Sequence, residues 1–179
     1  MMTSARHEQR RNVMNAPSVH DVAVRSARLD DAGSIEQLRR SSPGASICPR
    51  TACPLSACAS SPPSVERRTA VVAATPRGVV VGTAWIDACR GDSRRGHLGL
   101  LVVPQYQNVG IEHSLLVLLI ARARESGFTT LTACVFHDLR DARQLFLEAG
   151  LDVLSSLAMG GVSEVVLKIQ PPSPGAAEV

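Results

Sequence analysis

The 179-residue sequence predicts one α/β domain, a mixed sheet carrying helices on its faces, and three observations lead there. Hydrophobic residues make up 45% of the chain and charged residues 20%, the balance of a globular domain rather than of a disordered or membrane-spanning chain. Short valine-rich segments of period two are interleaved with longer segments whose apolar residues recur at helical spacing. The length suits one ordinary domain with a sizeable core and is short for two. Only 3% of residues are aromatic, so that core is expected to consist of Val, Leu, Ala and Ile.

In order, residues 22–27, VAVRSA, alternate as a strand, and Asp30 and Asp31 open an apolar-periodic helix that runs through Ile35 and Leu38 to Arg40. Residues 41–64, SSPGASICPRTACPLSACASSPPS, show no convincing period and read as a long loop or poorly ordered helical stretch. Loops of that length are usually functional or mobile. Residues 69–75 and 79–87, joined by a Pro-Arg-Gly turn, read as a hairpin. A polar break at 90–96 precedes a strand at 97–103, and a helix follows from about 109 to 125, stopped by Ser126 and Gly127. A strand at 130–135, a helix at 139–149 stopped by Gly150, and strands at 153–158 and 163–169 complete the order. Residues 1–20 and 170–179 read as flexible tails around a single domain at 21–169. The last strand is expected at a sheet edge, where it either pairs across a homodimer or stays solvated.

Several function classes are excluded by composition. The longest apolar run, 115–121, is far shorter than the roughly 20 residues a bilayer crossing needs, so no membrane partner is expected. The N-terminal MMTSARHEQRRNVMNAPS is polar and basic and lacks the apolar stretch of a secretory signal. Five cysteines, an odd number, without an export signal imply reduced thiols and a cytoplasmic location. The net charge of +3 comes with arginines scattered from Arg6 to Arg143 and almost no aromatics between them to stack bases, which argues against a nucleic-acid partner. Cys48, Cys53 and Cys58 recur with four-residue gaps repeated twice, a spacing that matches no zinc pattern, and no metal is expected. Cys134, inside a predicted strand, reads as a small core residue. Cys89 ends a strand, and the sequence supplies no positioned base that would make it a nucleophile.

The most informative stretch is LLVVPQYQNVGIEHSLL, residues 100–116. A strand that runs through a glycine-containing loop into a helix makes an anion site, because the first-turn N–H groups have no intrahelical partner and the helix dipole is positive there. Here the strand, Pro104, an aromatic, Gln107 and Gly110 follow in that order.

At these residues the chain resembles the GNAT superfamily of N-acetyltransferases, whose acetyl-CoA loop reads Arg/Gln-x-x-Gly-x-Gly/Ala after a strand of the form V-x-P. The resemblance extends over residues 22–169. It takes in VRSARLDDAGSIEQL at the front and ARQLFLEAGL near the end, the latter similar to the family's A-x-x-L-Y-x-K-x-G-F. Within the superfamily, LRRSSPGAS and the strand before the loop are most similar to the bacterial protein-lysine acetyltransferases. The resemblance implies a mostly antiparallel mixed sheet of six to seven strands, acetyl-CoA as cosubstrate, and a primary amine, on a small molecule or a protein lysine, as acceptor. It also implies that the backbone of Leu101, Val102 and Val103 pairs with the pantetheine arm. The amides of Gln107, Asn108, Val109, Gly110, Ile111 and Glu112 would wrap the pyrophosphate. His97 stands where the lysine acetyltransferases carry their glutamate base, and a histidine, with an ordinary pKa of about 6.5, suits a base near neutrality. The acceptor pocket would be shaped largely by residues 41–64.

Departures from the family pattern carry as much information. Glu112 stands where the family has Gly or Ala. A carboxylate about 4 Å from one phosphate charge costs about 1 kcal/mol in water-like surroundings and about 4 at an intermediate dielectric. Its charge at a helix N-terminus contributes only about 0.3 to 1 kcal/mol. Binding therefore survives well only if Glu112 swings outward. Phe146 replaces the tyrosine that serves as acid, Leu139 replaces an asparagine seven residues earlier, and His137 is a further polar residue in the loop after the 130–135 strand. Arg122 and Arg124 read as a solvated helix face. A second reading follows: a protein of this shape that has lost catalysis, binds acetyl-CoA poorly and serves as a binding or regulatory module with a protein partner. A third, acetylation of charged tRNA, requires the scattered arginines to gather on one face.

Overall fold

The computed structural model describes residues 22–41, 47, 68–89, 91–136, 139–159 and 161–171. The described elements are, in order, β1 (Ala23–Ser26), α1 (Ala32–Ser41), β2 (Arg68–Ala74), β3 (Val80–Cys89), β4 (Asp92–Val102), α2 (Ile111–Glu125), β5 (Thr130–Val135), α3 (Leu139–Glu148), β6 (Leu151–Met159) and β7 (Val162–Ile169). The strands form one sheet in the order β1-β2-β3-β4-β5-β7-β6. Only β4 and β5 pair in parallel; every other neighbouring pair is antiparallel. The fold is the mixed, mostly antiparallel α/β sheet that the sequence implied.

Strand alternation divides the side chains between two layers. Ile86, Leu98, Leu100 and Val102 join the main core, where α2 contributes Ile111, Leu115, Leu116, Leu119, Ile120 and Ala123. Burying a Leu or Ile side chain is worth about 1.5–3 kcal/mol, so α2 is held by its packed face more than by intrinsic propensity. A smaller cluster gathers Leu38 of α1 with Val72, Val80, Trp85 and Leu101. There Trp85 lies so close to β4 that a Cβ at Gly99 would run into its ring, and Arg39 of α1 stacks above that ring at 5.1 Å.

Entry into α1 is fixed by an ion pair. Arg25 of β1 grips Asp31 with two hydrogen bonds, Nη1 to Oδ2 at 2.7 Å and Nη2 to Oδ1 at 2.8 Å, and the Arg28 N–H donates to Asp31 Oδ2 at 2.7 Å. The hydrogen bonds from Arg25 hold the Asp31 carboxyl down at about 2, against its burial, which pushes the other way. A carboxyl depressed in the folded state stabilises the fold above its ordinary value of 3.8, and that contribution disappears as pH falls toward about 2. Denaturant titrations of wild type and Asp31→Asn are expected to show a stability gap that is full at neutral pH and closes across this window. A gap independent of pH would contradict this role.

Four expectations need correction. The polar break at 90–96 is largely strand: β4 starts at Asp92, because Cys89 pairs with Asp92 on one side while Arg95 and Gly96 pair with Thr130 and Leu131 on the other. Residues 92–95 are exposed, so they carry no apolar period to betray the strand. The final strand is not an edge, since β7 lies between β5 and β6 with both flanks paired, which closes it to pairing across a dimer; β6 takes the edge. Gln170, assigned to a tail, is tied down: its N–H donates to Gly150 O at 3.0 Å and its Nε2 to Asp152 Oδ1 at 2.7 Å. Arg124 is not a solvated residue, for its Nε donates to Gln170 O at 2.8 Å and braces the end of α2 against the end of β7, whereas Arg122 does face solvent, paired with Glu125 at 2.9 Å. Of the irregular 41–64 stretch, Ser41 belongs to α1 and Ile47 is described below; the rest of it, with Cys48, Cys53 and Cys58, lies outside the described residues, as do tail residues 1–20 and 172–179.

Candidate active site

Parallel pairing between β4 and β5 is brief: Arg95 with Thr130, Gly96 with Leu131, and His97 with Thr132. Beyond His97 the two strands part. Ile47 sits in the parting, bridged to Leu100 on one side and Val135 on the other, and its carbonyl accepts the Leu100 N–H at 3.1 Å. Its side chain is 2% exposed. Ile47 thus completes locally the pairing that β4 and β5 give up. A cavity of about 660 Å³ opens over this wedge, bounded by the loop before α2, the first turn of α2 and one face of α3.

The loop turns sharply to aim α2 at that cavity. Pro104–Tyr106 forms a single 3₁₀ turn, then Asn108 at φ 60° and Gly110 at φ 90° adopt left-handed conformations. Glycine takes that geometry without steric cost, and Gly110 is the N-cap of α2. Val109 packs against the main core and the Ile111 side chain is fully buried in it, which anchors the loop. Gln107 Nε2 donates to Val102 O at 2.9 Å, closing the end of β4.

Glu112 does not swing outward. Its Oε1 accepts the Asn108 N–H at 3.3 Å, so the carboxylate folds back over the loop and occupies one of the amides an anion would use. Asp141 and Glu148 of α3 also line the cavity, and no lysine or arginine does among the described residues. In this conformation the loop carries its own negative charge, and the dipole of α2 is answered from within the chain.

Strand alternation also revises the expected backbone contacts. Val103 donates its N–H to Val81 O, toward β3, and Leu101 shares that orientation. Of the three residues expected to line the wedge with their backbone, only Val102 turns toward β5; Leu100 joins it. The sequence shows that a strand is present, but not which set of alternate residues faces the gap.

His97 stands at the closed end of the wedge, half-buried, with its ring on the sheet face opposite the cavity. Its direct partner across β3 is Asp87, which is 2% exposed. Its Nε2 lies 3.3 Å from the Sγ of Cys89, two residues further along β3 on the same face. Cys89 therefore has beside it the base that the sequence did not reveal. The eight-residue separation carried no recognisable spacing; only the hairpin register brings the two together. Cys134 is a buried β5 residue, as expected. Phe146 is fully buried in the main core, and Leu139 packs against it, half-buried. His137 lies outside the described residues.

Two parallel strands part here, with a glycine loop and a helix N-terminus at the mouth of the gap. The acetyltransferase (GNAT) family model matches residues 40–151, and the chain belongs to that family. Solved structures agree. The acetyltransferase of the GNAT family from Streptococcus pneumoniae is similar at a TM-score of 0.62 and 20% identity, over 84% of this chain and 99% of that one. A GNAT superfamily phosphinothricin acetyltransferase from Sinorhizobium meliloti, solved in complex with AcCoA, gives 0.62 at 21% identity, over 87% and 95%. The GNAT domain of PAT from S. lividans gives 0.59 at 21%, over 82% and 90%. At these identities the likeness shows the fold. No curated protein sequence matches the chain.

Proposed function

We propose that the protein moves an acetyl group from acetyl-CoA to a primary amine, with weak affinity for the acetyl donor. The observation that carries this reading is the wedge between β4 and β5, with His97 at its closed end and the N-terminus of α2 at its mouth. In such a transfer the amine nitrogen attacks the thioester carbonyl, the CoA thiolate leaves, and the amine proton goes to a base. In this reading His97 serves as that base. The first-turn N–H groups of Ile111, Glu112 and His113 and the N–H of Asn108 are the donors for phosphate oxygens. Access to them requires Glu112 to leave the Asn108 amide, which accounts for the weak affinity.

The same contact between Glu112 and Asn108 favours a second reading, a member of the family that has lost catalysis and works as a binding or regulatory module. Phe146, fully buried and without a hydroxyl, points the same way. Incubating the protein with saturating acetyl-CoA and a panel of primary amines, including lysine peptides, separates the two. Release of free CoA thiol matched by an acetylated amine is the expected result. Acetyl-CoA bound without transfer to any amine would overturn the enzymatic reading.

A further inference from the structure

Asp87, Cys89 and His97 share one face of the sheet because residues 87 and 89 lie two apart on β3, and the register sets His97 directly across from Asp87. The hairpin is irregular at this point. Its register jumps between Ala88 and Cys89, so that Cys89 pairs with Asp92. The result is a thiol within hydrogen-bond distance of a ring nitrogen, Sγ to Nε2 at 3.3 Å, with Asp87 as the cross-strand partner of the same histidine. A thiol beside an imidazole that can take its proton is the pairing that activates a thiol for acyl transfer. Cys89 is half-buried rather than sealed in the core, unlike Cys134.

We propose that Cys89 is an acyl-accepting nucleophile, taking an acetyl group from a thioester onto its sulfur with His97 as the base. As the sulfur attacks the thioester carbonyl, its proton passes to His97 Nε2. Collapse of the tetrahedral adduct breaks the bond to the departing sulfur, which takes the proton back from the imidazolium. The exchange leaves S-acetyl-Cys89 and a free thiol, with no oxidant or reductant. Burial pushes the Cys89 thiol up, partly offset by Arg95, so the sulfur rests protonated and needs a base at the moment of attack. The identity of the donor as acetyl-CoA rests on the acetyltransferase reading; the reactivity of the pair does not.

The full chain is incubated with S-acetyl-N-acetylcysteamine, a thioester without phosphates that is indifferent to Glu112, and separately with acetyl-CoA. Peptide mass mapping follows the acetyl group. The expected result is one hydroxylamine-labile acetyl on Cys89, formed faster than on free N-acetylcysteine, absent at that position in Cys89→Ala and slowed about a hundredfold in His97→Gln. Labelling of Cys89 no faster than the free thiol would overturn the proposal, and wild type alone decides this even if a variant fails to fold. Undiminished labelling in His97→Gln would overturn it as well. Labelling by the small thioester but not by acetyl-CoA upholds the reactive pair and counts against acetyl-CoA as the donor.

Discussion

Replacing Glu112 with glycine is expected to tighten acetyl-CoA binding by roughly fivefold to several hundredfold. The range follows from removing a carboxylate about 4 Å from a phosphate charge, worth about 1 kcal/mol if water screens the pair and about 4 at intermediate dielectric, at about 1.4 kcal/mol per decade of affinity. The contact with the Asn108 amide sets the direction, since the wild-type carboxylate already holds a donor that a phosphate oxygen needs. Stability should move the other way. The variant loses about 0.3–1 kcal/mol of favourable charge at the helix start and takes on the backbone entropy of glycine in the first turn, about 1 kcal/mol. Glu112→Gln separates charge from size: if repulsion dominates, glutamine recovers most of the gain, and if bulk dominates, only glycine does. Calorimetric titration of the three proteins reads both effects, and equal affinities across them would show that Glu112 has no influence on the site.

His97→Gln is expected to lower kcat for amine acetylation by about 10²- to 10⁴-fold, the usual contribution of a positioned general base, with acetyl-CoA affinity unchanged. The split follows from geometry, because the ring lies on the sheet face opposite the cavity over the wedge. It also separates chemistry from folding, since a variant that merely loosened the β3–β4 hairpin would lose affinity and rate together. Retention of the wild-type rate within a few-fold would remove His97 from the reaction.

Much of this architecture was legible in the sequence because local periods and tertiary pairing agree over most of it. The glycine stops at Gly127 and Gly150 and the valine-rich hairpin of β2 and β3 all appear where period and punctuation place them. What escaped was set by pairing between distant segments. The polar start of β4 forms because strands on both sides hold it, and β7 is interior because it returns between β5 and β6. The site shows the same division. The loop at 107–112 announced itself through Gln107 and Gly110, whereas the orientation of Glu112 depends on side-chain torsions that no residue pattern encodes. Cys89 gained a base only through the hairpin register, and Ile47 entered the wedge from a segment without any period.

Two amides report on the wedge and its mouth. The Leu100 N–H donates to Ile47 and the Asn108 N–H to Glu112, and a donor seated as proposed must displace one or both acceptors. In ¹H–¹⁵N correlation spectra of the full chain titrated with acetyl-CoA, both signals are expected to shift together along one saturable curve. Saturable binding that leaves both amides unmoved would place acetyl-CoA elsewhere on the molecule and contradict the reading of this wedge as the acyl-donor site.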